Sequence, residues 1–197
     1  MILYGASGHA KVVLDICLKN GEVITMVLDD DIKKKDLLGY AVKHDVKDDV
    51  LVDQRMIISI GNNKVRKEIS SKIKADYVNA IHPSAVVDPT VTFEKGTVVM
   101  ANAVVNSHSQ IGNHCILNTA SSVDHDCNLE DFVHISPKAT LCGGVSIGEG
   151  TQVGAGAIVL PNVKVGKWCK VGAGAVVLKD VEDYTTIVGN PGRILIK

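Results

Sequence analysis

The sequence has few aromatic residues and almost no net charge. Phe, Trp and Tyr make up 4% of the chain, too few for the stacking platforms of single-strand nucleic-acid binders. The formal net charge of −1 offers no basic surface to a nucleic acid or an acidic membrane. The N-terminus lacks a basic segment followed by a long apolar run, so we expect no signal peptide and no membrane span. These features predict a cytoplasmic protein that binds neither nucleic acids nor membranes.

Paired cysteines are also missing. The chain has an odd number of cysteines with no CxxC pair: Cys17, Cys115, Cys127, Cys142 and Cys169. This spacing favours reduced thiols over a disulfide framework. No HxxxH-type spacing occurs either, so we expect no metal site.

The second half of the chain has a strict period of six. Apolar residues recur without an insertion at Ile81, Val87, Phe93, Val99, Val105, Ile111, Leu117, Val123, Leu129, Ile135, Leu141, Ile147, Val153, Val159, Val165, Val171 and Val177. Four residues after each of them stands a small or β-branched residue, and this second series includes Cys115, Cys127 and Cys169. An α-helix cannot keep a period of six on one face, and a flat strand repeats every two residues. Short strands joined by tight corners need both series, so the pattern predicts a hexapeptide β-helix.

The hexapeptides IGNHCI, IGEGTQ, VGAGAI, VGKWCK and VGAGAV resemble the repeats of the hexapeptide acyltransferase superfamily. In that superfamily three hexapeptides form one coil of a three-sided prism. The resemblance therefore implies a left-handed parallel β-helix over residues 81–182. The handedness comes from the resemblance alone, because ordinary parallel crossovers have the opposite hand. Superfamily members are typically homotrimers, and we expect a trimer here, with the tail, residues 183–197, covering the last coil or pairing with a neighbour.

Residues 1–80 have a different pattern, in which strands and helices alternate. This alternation predicts a small Rossmann-like α/β domain with a parallel sheet. The strands are expected at residues 1–4, 23–28 and 56–60, and the helices after the GASGHA and GNN segments. We assign nothing to residues 32–54.

Three predicted loops lie at one rim of this sheet. The glycine-rich turn GASGH presents backbone N–H groups to phosphate, and Asp29 and Asp30 at the end of the second strand can accept hydrogen bonds from a ribose or a base. The loop at Gly61 opens on the same rim. GASGH alone is equally consistent with a tight turn that binds no ligand. Together the loops favour a mononucleotide, because the domain is too short for a full dinucleotide fold.

The segments YGASGH, LDD and IGNN, with Arg66 close behind, resemble the N-terminal domain of UDP-4-amino-sugar N-acetyltransferases of bacillosamine-type biosynthesis. That group is related to the sialic acid O-acetyltransferases. The resemblance spans nearly the whole chain and implies transfer of an acetyl group from acetyl-CoA to the amino group of a nucleotide-activated, UDP-linked sugar. It assigns the nucleotide sugar to six residues: Ser7, Gly8, His9, Asp29, Asp30 and Gly61.

His125 is the candidate general base among the histidines, because Asp124 and Asp126 flank it at a predicted corner. A neighbouring carboxylate fixes the tautomer of an imidazole and raises its basicity. Residues three hexapeptides apart stack at a spacing of ~4.8 Å, which places Gly143 over His125, where its N–H can approach an oxyanion. By the resemblance, His125 is the general base and Asp126 is the acid that tunes it.

The resemblance also implies a set of contacts with acetyl-CoA. It assigns His134 to acetyl-CoA, the backbone at Ala155 and Ala173 to the pantetheine channel, and Arg193 to a CoA phosphate. Asn118 lies near the predicted column of His134. Because His134 is half a coil from His125, both histidines can serve one site only where two subunits meet.

Two alternatives stay open. One is a sugar O-acetyltransferase of the sialic acid type. The other is a non-catalytic β-helix scaffold, which would need neither a histidine beside an acid nor a phosphate-type loop.

Overall fold

The computed structural model describes residues 1–195. Its N-terminal part has nine elements: β1 (Ile2–Tyr4), α1 (Gly8–Lys19), β2 (Met26–Leu28), β3 (Asp36–Leu37), β4 (Tyr40–Lys43), α2 (Asp48–Leu51), β5 (Arg55–Ile58), α3 (Asn63–Lys72) and β6 (Asp76–Tyr77). The strands form one sheet in the order β3-β4-β2-β1-β5-β6. All neighbours pair in parallel except β3 and β4, which form an antiparallel hairpin at one edge. The predicted α/β domain with a parallel sheet is confirmed.

Two details of this domain differ from the sequence prediction. The second strand begins at Met26 and not at Val23, and residues 20–22 before it close the end of α1. There the N–H of Glu22 donates to the carbonyl of Cys17, and Gly21 has a φ of 74°. This αL ending is a common way to close a helix. The hairpin of β3 and β4 lies in the segment to which the sequence assigned nothing.

The remaining chain forms a parallel β-helix with three flat faces. Face 1 contains β7 (Ala80–Ile81), β10 (Val98–Val99), β13 (Ile116–Leu117), β16 (His134–Ile135), β19 (Gln152–Val153), β22 (Lys170–Val171), β24 (Thr186–Val188) and β25 (Arg193–Ile194). Face 2 contains β8 (Val86–Val87), β11 (Val104–Val105), β14 (Ser122–Val123), β17 (Thr140–Leu141), β20 (Ile158–Val159) and β23 (Val176–Val177). Face 3 contains β9 (Thr92–Phe93), β12 (Gln110–Ile111), β15 (Asn128–Leu129), β18 (Ser146–Ile147) and β21 (Lys164–Val165).

The hexapeptide series builds the interior of this prism. Its members from Val99 to Val177 are almost completely buried and form one apolar cluster, and the small residues at the corners belong to the same cluster. The three cysteines of that second series, Cys115, Cys127 and Cys169, are buried there, and all five cysteines are free. Strands eighteen residues apart pair in register, as Val98 does with Ile116. The predicted coil of three hexapeptides is therefore confirmed.

The N-terminal part packs against the first coils of face 1. Helix α1 shares an apolar cluster with the outward side chains of Ala80, Val98 and Ile116. Arg66 of α3 is 1% exposed, and its guanidinium donates to the carbonyl oxygens of His114 and Phe132 on the β-helix. Burial lowers the pKa of Arg66 to about 10, so the side chain stays charged at neutral pH.

The last described residues continue face 1. Strand β24 pairs in parallel with β22, and β25 folds back antiparallel on β24. Residues 196 and 197 of the predicted tail lie outside the described residues. None of the helices within residues 1–195 has the length and hydrophobicity that crossing a bilayer requires.

Candidate active site

His125 lies at the corner between face 2 and face 3, between β14 and β15. Its Nδ1 is 2.8 Å from Oδ2 of Asp126. On the other side, Oδ1 of Asp124 accepts hydrogen bonds from the backbone N–H of His125 and from Nδ2 of Asn106, both at 2.9 Å. The hydrogen bond to Asp126, followed by the charge of Asp124, raises the pKa of His125. The two acids therefore make this exposed imidazole more basic. Because Nδ1 contacts Asp126, the other ring nitrogen, Nε2, faces away from Asp126.

Gly143 lies directly over this imidazole. A Cβ atom on Gly143 would be 2.6 Å from both Nε2 and Cε1 of His125, closer than any real side chain approaches. The next residue, Gly144, donates its N–H to the carbonyl of His125 at 2.9 Å, which ties the two coils together. The predicted stacking of Gly143 over His125 is confirmed, and only a glycine leaves room for the imidazole.

His134 and Asn118 meet on a different side of the prism. The amide Nδ2 of Asn118 is 3.0 Å from Nε2 of His134, and its Oδ1 accepts from the N–H of Thr119 at 2.8 Å. His134 is 8% exposed, and burial, followed by the charge of Arg66 and the neighbouring imidazole of His9, lowers its pKa to about 3. His134 is therefore neutral at physiological pH.

His134 also contacts the N-terminal part of the same chain. The rings of His9 and His134 have centroids 6.4 Å apart, and His9 has its pKa lowered to about 4 by burial and by the charge of Arg66. Gly61 lies beside His9, since a Cβ on Gly61 would be 3.8 Å from the His9 ring. The GASGH and GNN loops therefore reach the β-helix at His134, a contact that the sequence did not predict.

The glycine-rich loop before α1 is held from below by Asp29. This carboxylate is 8% exposed; its Oδ2 accepts from the N–H of Ala6 at 2.7 Å and its Oδ1 from the N–H of Asp31 at 2.9 Å. Asp30, by contrast, is exposed, and its Oδ1 accepts from the hydroxyl of Tyr4 at 2.5 Å. Asp29 thus shapes the loop, whereas Asp30 lies at its open rim.

The other residues of this rim are accessible. Ser7 and Gly8 are exposed at the start of α1, and His9 is half-buried behind them. A Cβ on Gly8 would have no neighbour within 4 Å, so the space above the loop is open. Lys34 is a rim residue that the sequence analysis missed: its Nζ donates to Oγ of Ser7 at 2.6 Å. It stands in a run of three lysines, and nothing in the sequence separates it from its neighbours.

Ala155 and Ala173 lie exposed at the corner between face 1 and face 2, the same corner as Asn118. They stack one above the other, since the N–H of Gly174 donates to the carbonyl of Ala155 at 2.9 Å. Arg193 lies exposed on β25, opposite Val188.

The predicted acetyl-CoA residues and the predicted base therefore occupy two different corners of one chain. His125, Asp126 and Gly143 share one corner, Asn118 and the two alanines share the other, and face 2 separates them. Within residues 1–195 no three His, Cys, Asp or Glu side chains are grouped as metal ligands, and the absence of a metal stays a prediction.

Two protein-family models match separate parts of the chain. Residues 1–73 match the PglD N-terminal domain, and residues 144–179 match the bacterial transferase hexapeptide (six repeats). GDP-perosamine N-acetyltransferase of Escherichia coli O157:H7 is 32% identical over 105 residues, or 52% of this chain and 48% of that protein. UDP-N-acetylbacillosamine N-acetyltransferase of Bacillus subtilis (strain 168) is 37% identical over 108 residues, or 50% of each chain. The chain spans about half the length of the curated relatives it matches.

Solved structures that match nearly the whole chain include the following two. PerB from Caulobacter crescentus, in complex with CoA and GDP-perosamine, superposes with a TM-score of 0.93 and 39% identity, covering 98% of this chain and 96% of PerB. The acetyltransferase domain of PglB from Neisseria gonorrhoeae FA1090, in complex with acetyl coenzyme A, superposes with a TM-score of 0.90 and 35% identity, covering 98% of both chains.

Proposed function

Since this chain belongs to the hexapeptide-repeat transferases with a PglD-type N-terminal domain, we propose that it transfers the acetyl group of acetyl-CoA to the amino group of a nucleotide-activated sugar. The observation that carries this proposal is the His125–Asp126 pair directly beneath Gly143. Acyl transfer to an amine requires a base, an acid that orients the base, and a donor for the oxyanion. A glycine N–H suits the last role because no side chain blocks its approach.

The reaction follows from this geometry. Nδ1 of His125 is held by Asp126, so Nε2 carries the lone pair that accepts a proton from the sugar amine as its nitrogen attacks the thioester carbonyl. The carbonyl oxygen becomes an oxyanion, and the proposed donor to it is the N–H of Gly143, which donates to no backbone carbonyl within residues 1–195. When the C–S bond breaks, the imidazolium returns the proton to the departing CoA sulfur.

The active site is proposed to lie between two subunits of a homotrimer. The outward side chains of face 2 are apolar or small: Val86, Val104, Ser122, Thr140, Ile158 and Val176. Those of face 3 are polar: Thr92, Gln110, Asn128, Ser146 and Lys164. Val86 and Ile158 are 64% and 38% exposed, and Val104 and Val176 are half-buried. A row of accessible aliphatic side chains on one face favours an interaction surface. If face 2 turns toward a threefold axis, the His125 corner of one subunit meets the Asn118 corner of the next.

The nucleotide is proposed to bind at the N-terminal rim, where Ser7, Gly8, His9, Asp30 and Gly61 line the opening. Asp29 supports the rim from beneath. UDP is the nucleotide that the sequence resemblance predicts. GDP is the second candidate, because PerB, which matches nearly the whole chain, was solved with GDP-perosamine.

The two sugar acetyltransferases named above among the curated relatives are N-acetyltransferases, which favours an amine over a hydroxyl as the acceptor. A cytoplasmic location stays a prediction.

The test compares two histidines on the same corner. His125→Asn removes the proposed base, and His108→Asn changes an exposed histidine one coil below Asp126. With acetyl-CoA and a UDP- or GDP-linked 4-amino sugar, we expect His125→Asn to lower kcat by about 10²- to 10⁴-fold and His108→Asn to leave it unchanged. The measurement is CoA release together with mass spectrometry of the sugar product.

Full activity of the His125→Asn protein would exclude this base. Acetylation of hydroxy sugars in place of amino sugars would favour the O-acetyltransferase alternative. No thermal stabilisation by acetyl-CoA or CoA, with no turnover of any sugar nucleotide, would favour the scaffold.

A further inference from the structure

Lys34 places a positive charge at the rim of the N-terminal sheet, beside the glycine-rich loop. Its Nζ donates to Oγ of Ser7 at 2.6 Å and to Oδ2 of Asp29 at 2.9 Å. The side chain is 29% exposed, while that of Asp29 is 9% exposed, so the ammonium lies between a buried acid and the open loop. An ammonium group has three N–H donors, and these two contacts leave the third for a further acceptor.

The N-terminus of α1 is open beside this ammonium. Ser7 is the residue that would cap α1, but its side chain makes no capping hydrogen bond and accepts from Lys34 instead. Helix α3 on the same rim is closed, because Oδ1 of Asn62 accepts from the N–H groups of Lys64 and Val65. The first N–H groups of α1 are therefore the donors that remain for an anion at this rim.

Asp29 alone would repel such an anion. Burial would raise the pKa of Asp29, but the Lys34 ammonium and the N–H groups of Asp31 and Ala6 outweigh that effect and hold its pKa below the usual value. The carboxylate is thus charged at neutral pH and lies directly under the loop. Lys34 cancels this charge locally, and its ammonium is the more exposed member of the pair.

We propose that Lys34 binds the diphosphate of the nucleotide sugar, with its third N–H donating to a phosphate oxygen beside the N-terminus of α1. Through its hydrogen bonds to Asp29 and Ser7, the same side chain also positions the glycine-rich loop. Lys34 therefore both binds the phosphate and positions the loop. This inference rests on the proposed function, since it assumes that the rim holds a nucleoside diphosphate.

The experiment measures the binding of UDP and of GDP to the full chain by calorimetry. Lys34→Met removes the ammonium and keeps most of the stem, and Lys35→Met makes the same change at the next residue, which is exposed. Loss of one charge-assisted hydrogen bond to phosphate predicts about 10- to 100-fold weaker binding for Lys34→Met. Lys35→Met should bind as the wild type does, and the KM for acetyl-CoA should not change in either variant.

A second variant separates phosphate binding from charge compensation. If Lys34 only neutralises Asp29, the double variant Asp29→Asn/Lys34→Met should recover diphosphate binding, and that recovery would overturn the inference. We expect no recovery, and cooperative thermal unfolding of the ligand-free double variant as evidence that it is folded. Equal binding by Lys34→Met and Lys35→Met would also overturn it while leaving the proposed function intact. If the wild type binds neither UDP nor GDP, the nucleotide site of the proposed function is wrong, and this inference is wrong with it.

Discussion

A Cβ atom on Gly143 would lie 2.6 Å from Nε2 of His125, although eighteen residues separate the two in the chain. The nearest atoms belong to the end of an exposed side chain, which can rotate away at little cost to the fold. We therefore expect Gly143→Ala to move the imidazole off Asp126 and to lower kcat by at least about 10²-fold, the scale of losing a positioned base. The melting temperature should stay close to that of the wild type.

Gly148→Ala is the matched control, because its Cβ would meet backbone atoms of Gly166 and Lys167 at 2.6 Å. Backbone cannot rotate away, so this variant should lose about 1–3 kcal/mol of unfolding free energy while the molecules that remain folded keep their kcat. Normal activity of Gly143→Ala would contradict the placement of the base.

The pH dependence of kcat/KM should show the effect of Asp126 on the pKa of His125. Asp126 holds the pKa of His125 above its ordinary value, and the base works only when it is unprotonated. Removing the acid in Asp126→Asn lowers that pKa, so the acidic limb of the kcat/KM profile should move to lower pH. Activity at the plateau should fall as well, because the imidazole loses its orientation.

Asp88→Asn is the control for this profile, since it removes a carboxylate two coils below Asp124 on the same corner. At roughly 10 Å and in solvent, that charge is largely screened. If the acidic limb of the kcat/KM profile does not move in Asp126→Asn, the ionisation of His125 does not control the rate.

Face 2 should control the oligomeric state. Ile158 is 38% exposed, and Ile158→Asp places a carboxylate on the apolar face, where a trimer would bury three of them. We expect dissociation to monomers by light scattering coupled to size exclusion, together with loss of activity. Lys164→Asp puts the same carboxylate on face 3 and should leave a trimer. A monomeric wild type with full activity would contradict the shared site.

Arg66 should contribute more to stability than any surface arginine. Arg66→Met leaves the carbonyl oxygens of Ile60, His114 and Phe132 without their donor in a buried region, so we expect a loss of about 3 kcal/mol or more in unfolding free energy. Arg55→Met breaks only an exposed ion pair with Glu22 and should cost less than about 1 kcal/mol. Urea unfolding of both variants measures the difference, and equal midpoints would contradict the role of Arg66.

The β-helix could be predicted almost residue by residue because its period fixes which side chains are neighbours. Once the repeat is recognised, the stacking of Gly143 over His125 follows by counting. The contact of Asn118 with His134 follows nearly as well, since the two lie in adjacent columns.

The parts that escaped prediction are those where distant segments meet. Lys34 reaches Ser7 across a loop, and only the folded positions of β2 and α1 bring them together. Arg66 was noted only as part of a motif, yet it connects α3 to two successive coils at one corner of the β-helix through backbone carbonyls. A sequence does not show which backbone carbonyl will accept such a hydrogen bond, because every residue has a backbone carbonyl.

The in-register stacking of the coils also restricts how this gene can change in length. One residue added inside a strand would move every later side chain out of its column, and the glycine opposite the His125 imidazole would be replaced by its neighbour. Additions are tolerated only where they loop out of a corner or where they supply one complete coil. Relatives of different length should therefore differ by whole coils or by corner loops, with the spacing from His125 to Gly143 kept the same.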